Sequence, residues 1–256
     1  MVNSPSPADC LLVLSLAFLS CCVSGPSAAQ EHNGGSGPHA ASDEECVVLV
    51  HGLGRTSSSM KKMELSIRND GYTTVSLNYP SREKPVEILA EETIPEALEY
   101  CDQYSSRRVH FITHSMGGIL VRYYLAMHTL ENLGRVVMIS PPSQGSELVD
   151  KLSGLPGFEY ILGPAVFQLG TDSDSLPRKL GPVDFDAGII TGDRSINPIL
   201  SLLIPGDDDG KVSVENAKLA GVSEFLVVHH THTFILNSDA VIKQAIHFLK
   251  YGKFKQ

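Results

Sequence analysis

Short apolar runs rich in β-branched residues, each closed by glycine or a polar turn, alternate along the chain with stretches of helical spacing. Cys46–His51 (CVVLVH) is apolar almost throughout and stops at Gly52 and Gly54, the pattern of a strand buried on both faces. Tyr72–Leu77, Val109–His114, Arg135–Ser140, Asp186–Thr191 and Glu224–Val228 repeat it, which predicts a sheet of about six strands. Between them, Ser57–Asn69 sets Met60, Met63 and Ile67 on one helical face and ends at Gly71, a C-cap glycine. Pro85–Tyr100 is a second helix, disturbed at Pro95, and Gly117–His128 a third, packed by Leu120, Tyr124 and Met127. Ser238–Tyr251 closes the chain with Val241, Ile242, Ala245, Phe248 and Leu249 on one stripe. Alternating strands and helices joined by short turns predict an α/β fold, a mostly parallel sheet with helices on both faces, in one domain over 46–256.

Two segments break that rhythm. From Ser153 to Asp184 glycines and prolines are dense, and Phe158, Tyr160, Ile161, Leu162, Val166 and Phe167 show no strand alternation. A long irregular connection in a compact domain is either a lid or binding loop, or a small apolar cluster packed beneath a loop. At the other end, Leu11–Val23 (LLVLSLAFLSCCV) is uncharged and too short for the roughly 18 residues of a membrane-spanning helix, so it reads as an export signal spanning 1–29. Ser27-Ala28-Ala29 supplies small residues for cleavage before Gln30, while no Lys or Arg precedes the run. Cys21 and Cys22 keep a lipid-anchored form open, and an uncleaved tether is the plainer alternative. Residues 30–45, with their Gly, Ser and His, read as a linker.

Composition narrows the function classes. With 42% hydrophobic and 19% charged residues the chain is neither disordered nor polytopic. A formal net charge of −9 offers no electrostatic footprint for nucleic acid. Of five cysteines only Cys46 and Cys101 lie in the domain. One opens a predicted strand and the other ends the helix that feeds another, so both fall at the amino-terminal edge of the sheet, where a disulfide suited to an exported protein is geometrically open.

The chemistry converges on Ser115. Val109–Gly118 (VHFITHSMGG) is a buried strand that ends at His114-Ser115 and turns at once into a helix at Met116-Gly117-Gly118. That strand–turn–helix context suits a strained nucleophile elbow, although Thr113 replaces the first glycine of G-x-S-x-G. In isolation Ser115 would be a helix N-cap. Partners give it weight. His51-Gly52-Leu53-Gly54 forms a tight turn at the carboxyl end of the first strand, the edge where ligands sit in open α/β sheets. The backbone N–H groups of Leu53 and Met116 are placed to make a two-donor oxyanion hole. Asp207, Asp208 and Asp209 in IPGDDDGKVSV compete for the acid, with Asp193 outside them. Among His229, His230 and His232 the base is assigned to His232, just before Phe234-Ile235-Leu236, with His230 next. No HExxH or CxxC is present and the aspartates lack EF-hand spacing, so neither metal nor cofactor is expected.

In order, HGLG (51–54), THSMGG (113–118), SPPSQGSEL (140–148), DDGKV (208–212) and HTFIL (232–236) resemble the α/β-hydrolase superfamily. Within it they look like small bacterial esterases and lipases, a group that takes in predicted acetyltransferases. The resemblance covers 46–251 and implies Ser115 as nucleophile, His232 as base and Asp209, which leads an Asp-x-x-Val segment, as acid. It implies a carboxylic-ester hydrolase on small-molecule or lipid esters, with an apolar groove for medium or long acyl chains under 153–184. The larger family's usual first strands are missing. An acyltransferase or thioesterase with the same triad, and a non-catalytic lipid- or protein-binding scaffold, are the competing readings. Peripheral membrane contact and oligomeric state are left open.

Overall fold

Six strands form where the apolar runs predict them, within two residues at each end: β1 (Glu45–Val50), β2 (Thr73–Leu77), β3 (Arg108–His114), β4 (Leu133–Ile139), β5 (Ala187–Gly192) and β6 (Glu224–Val228). The computed structural model describes residues 45–256. The expected leader (1–29), Cys21 and Cys22, and the linker up to residue 44 lie outside the described residues, and Glu45, assigned to the linker, instead opens β1.

All neighbouring strands pair in parallel, in the order β2-β1-β3-β4-β5-β6. The four long helices are α1 (Lys61–Asn69), extended backwards by a 3₁₀ turn over Ser57–Met60, α2 (Val86–Gln103), α3 (Met116–Met127) and α4 (Asp239–Tyr251). Strand periodicity splits the core. Val47, Leu49, Ile112 and Ile190 pack with Ile67 of α1 and Phe248 of α4, whereas Val48, Val50, Phe111 and Met138 pack with Leu89 of α2 and Leu120 of α3. Helices therefore cover both faces. The direction in which successive strands are added reverses at β1, because β2 adds on one side and β3 on the other. The carboxyl ends of β1 and β3 consequently flank a crevice, the general ligand position in such sheets.

Several details differ from expectation. α2 runs through Pro95, which is exposed; the Glu91 carbonyl that loses its helical partner is on the exposed side too, where water can satisfy it. Met127 is 57% exposed rather than packed, because it is the last residue of α3 before the chain extends at His128. Segment 153–184 holds short helical turns at Phe158–Leu162, Pro164–Leu169 and Leu176–Lys179. With the preceding helix Glu147–Leu152, it builds a third apolar cluster from Leu148, Leu152, Phe158, Leu162 and Val166, joined by Leu200 and Ile204. Each turn has four to six residues, too few for a 3.6 period to register in the sequence.

Cys46 and Cys101 form a disulfide, with Cα atoms 5.7 Å apart at a sequence separation of 55. Closing a loop of that length contributes about 4 kcal/mol by restricting the unfolded chain. Among the described residues no helix is long and apolar enough to cross a membrane.

Candidate active site

β3 ends in a sharp turn at Ser115, whose backbone lies at φ 53°, ψ −125°, a region that costs a non-glycine residue roughly 1–3 kcal/mol. The turn is possible because α3 starts hard against β1. A Cβ at Gly117 would sit 2.5 Å from the Val50 carbonyl oxygen and 2.7 Å from that of His51. Gly52 matters in the same way, since a Cβ there would reach the Ser115 Cβ at 3.0 Å. Gly118 faces the buried Thr113 hydroxyl, with its added Cβ 3.1 Å from Oγ1. The Thr113 that stands in for the first motif glycine is thus an ordinary strand residue paired with Val50.

The turn after β1 is closed by the Arg55 N–H donating to the Gly52 carbonyl at 3.2 Å, with Gly54 at φ +66°. That bond leaves the Leu53 N–H outside it. Met116, as the first residue of α3, likewise has no carbonyl four residues back within the helix to bond. His51 holds the turn from behind. Its ring stacks on Tyr79 at 4.1 Å, its Nδ1 lies 2.9 Å from the Gly52 carbonyl, and Nε2 accepts the Tyr79 N–H at 3.4 Å. The Tyr79 hydroxyl donates to the His51 carbonyl at 2.5 Å. Burial lowers the His51 pKa to about 4, so the ring is a neutral strut.

Asp209 and His232 meet across a separation of 23 residues, with His232 Nδ1 2.8 Å from Asp209 Oδ2. A second bond runs between the same residues, from the His232 N–H to the Asp209 carbonyl at 2.8 Å. Asp209 Oδ1 accepts the N–H groups of Lys211 at 3.0 Å and Val212 at 2.9 Å. Burial pushes the Asp209 carboxyl up, but the His232 charge and these hydrogen bonds outweigh it and hold the pKa below its ordinary value. A carboxylate on Nδ1 makes that nitrogen the donor and leaves Nε2 with its lone pair. His114, buried beside Ser115, lies with Nε2 3.0 Å from the His232 carbonyl oxygen; burial first, then the charges of His232 and Lys211, keep its own pKa well below normal.

The competing candidates point elsewhere. Asp207 is exposed. Asp208 is buried and accepts from Ser201 Oγ at 2.8 Å and the Gly210 N–H at 2.7 Å, which stabilises the turn. Asp193 pairs with the exposed His229, and His230 Nε2 contacts Ser238, the N-cap residue of α4, at 2.8 Å. Ser115, His232 and Leu53 line one cavity of about 50 Å³, roofed by Leu148, Phe158 and Val166. Arg55 and Lys211 also line it; neither was singled out in the sequence, although Arg55 directly follows HGLG and Lys211 lies within DDGKV. Among the described residues no group of His, Cys, Asp and Glu side chains converges as a metal site.

A parallel sheet with helices on both faces, a serine at a strained strand–helix turn and a buried Asp–His pair at the same sheet edge define a protein of the α/β-hydrolase class. Residues 47–242 match the alpha/beta hydrolase family, and the chain belongs to it. No curated protein sequence matches the chain. Among solved structures, the mature lipase BlEst2 of Bacillus licheniformis is similar over 84% of this chain and 96% of its own, with a TM-score of 0.65 and 21% identity. A metagenomic carboxyl esterase aligns over 80% of this chain and 71% of its own, with a TM-score of 0.59 and 18% identity. The phospholipase PlaB of Legionella pneumophila aligns over 68% of this chain and 45% of its own, with a TM-score of 0.56 and 20% identity. At these identities the likeness is one of fold.

Proposed function

We propose that the protein is a serine hydrolase of carboxylic esters. The observation that carries this reading is the buried Asp209–His232 pair, whose His232 lines the same cavity as Ser115 at its strained turn. Ser115 attacks the ester carbonyl while His232 Nε2 takes its proton. Asp209 holds the imidazole in the productive tautomer and stabilises it once protonated. The N–H groups of Leu53 and Met116 receive the oxyanion, each worth about a hundred- to thousand-fold in kcat. The tetrahedral intermediate expels the alcohol with the proton from His232, and water then attacks the acyl-enzyme by the same route.

A cavity of about 50 Å³ holds a few water molecules, at roughly 10–15 Å³ each, and no long acyl chain. Long-chain lipid esters therefore require the roof formed by segment 153–184 to move aside, and short acyl esters are the better first substrates. The Cys46–Cys101 disulfide is consistent with an exported enzyme. The test is hydrolysis of p-nitrophenyl esters from acetyl to palmitoyl, with Ser115→Ala alongside. Turnover that falls at least a thousand-fold in the folded variant is expected. Full activity in that variant removes Ser115 from the reaction.

A further inference from the structure

No step of the proposed reaction uses the SPPSQGSEL segment (140–148), and its Ser146 is placed oddly for a structural serine. Ser146 occupies the N-cap of the helix Glu147–Leu152, where a hydroxyl ordinarily accepts from the N–H two or three residues on. Its hydroxyl makes no such bond. It donates instead, across a sequence separation of 65, to the Lys211 carbonyl oxygen at 2.7 Å. That carbonyl belongs to the same peptide group as the Val212 N–H, which donates to Asp209 Oδ1 at 2.9 Å. In a trans peptide the C=O and N–H point in opposite directions, so the 211–212 plane is held between Ser146 at one end and the acid at the other. The Asp209 N–H returns to the Val212 carbonyl at 3.1 Å, with Gly210 at φ +99°, so the turn is short and its peptide planes move together. Asp209 is almost wholly buried; burial pushes its carboxyl up, and the His232 charge and hydrogen bond, then the Val212 N–H, bring it down.

Ser146 is itself fixed. Its N–H donates to the Leu169 carbonyl at 2.8 Å, and the Gly145 backbone packs so closely on the Gly170 carbonyl that no Cβ fits. On the side of the acid turn, the Gln144 N–H donates to the Asn216 carbonyl at 2.9 Å and Ser213 Oγ to Glu147 Oε1 at 2.9 Å. A hydrogen bond to a carbonyl oxygen polarises its peptide and strengthens the N–H at the far end. Building on the hydrolase reading above, we propose that Ser146 is a positioning residue for the acid: it orients and polarises the 211–212 peptide that holds Asp209 against His232. Ser146 also lines the cavity over Ser115, so direct contact with substrate is the rival role.

The experiment is a double-mutant cycle on p-nitrophenyl butyrate with Ser146→Ala and Asp209→Asn, thermal unfolding being followed alongside. Ser146→Ala should lower kcat by about five- to ten-fold with KM little changed, the size of one hydrogen bond. Ser146→Thr, which keeps the hydroxyl, should recover most of that loss. In the Asp209→Asn background the carboxylate is already gone, and Ser146→Ala should change kcat by no more than about two-fold. Wild-type kcat in Ser146→Ala overturns the assignment. So does an undiminished loss in the Asp209→Asn background, which marks a contact with substrate or a general loosening. Should Ser146→Ala not fold, Ser146→Cys, with its weak donor, takes its place. The His232 Nδ1 proton resonance reads the same link without substrate: Ser146→Ala should shift it, and an unmoved resonance overturns the proposal. No turnover of any ester by the wild-type protein defeats the hydrolase reading, and the resonance then still decides whether Ser146 orients the Asp209–His232 pair.

Discussion

Gly117→Ala isolates the close approach on which the Ser115 turn depends. The new Cβ would lie 2.5 Å from the Val50 carbonyl oxygen and must retreat by about 0.9 Å to reach ordinary contact at 3.4 Å. β1 cannot yield, because it is hydrogen-bonded on both sides and its Val50 is fully buried. The amino end of α3 moves instead, carrying the Met116 N–H and Ser115 with it. A misplacement approaching 1 Å costs about a hundred-fold in turnover, and the overpacking costs roughly 1–3 kcal/mol of stability. Gly154→Ala is the control, since nothing lies within 4 Å of a Cβ there. Steady-state kcat on p-nitrophenyl butyrate, together with thermal unfolding, should show the loss in Gly117→Ala and near-wild-type values in Gly154→Ala. Wild-type kcat in Gly117→Ala would refute the claim that α3 and β1 jointly set the geometry of the site.

Asp209→Asn preserves shape but removes the charge that orients His232, so kcat should fall about a thousand- to ten-thousand-fold, while Asp208→Asn stays within about ten-fold; similar losses in both would undo the assignment of the acid. Burial lowers His51 from 6.5 to about 4, and burial with the charges of Arg135 and Arg108 does the same for His110. Between those values the unfolded chain binds protons that the folded chain refuses, so stability should drop as pH falls from about 6.5 toward about 4, by roughly 3 kcal/mol per histidine. The depressed Asp209 carboxyl acts in the same direction, its contribution being lost as the pH falls below the ordinary carboxylate range. Urea unfolding at pH 7 and pH 4.5 measures this, and equal free energies would contradict it.

Tertiary packing also explains which polar groups stay quiet. His51 and His114 both flank motif positions, yet burial keeps them neutral and their ring nitrogens contact backbone groups, so they brace the turn and the His232 loop. Their place in the motifs was legible in the sequence. Their role was not, because it depends on Tyr79, 28 residues from His51, and on His232, 118 residues from His114.

What the sequence determined by itself was whatever is encoded within one element and its turn. A strand buried on both faces must be a continuous apolar run, a helix on a sheet must repeat its stripe, and the strand–Ser–Met–Gly–Gly transition marks its own elbow. The six strands, the four long helices and the positions of Ser115 and Leu53 follow from these local constraints. Tertiary structure decided the rest. Asp207, Asp208 and Asp209 are adjacent and chemically identical, and only the fold turns Asp208 toward Ser201 and Asp209 toward His232. The short helices Glu147–Leu152, Phe158–Leu162 and Pro164–Leu169 are below the length at which a helix holds itself, so they exist because apolar residues from each dock into a shared cluster. Arg55 and Lys211 share a cavity because β1 and the turn after β5 end at the same edge of one parallel sheet, a proximity that no local periodicity records.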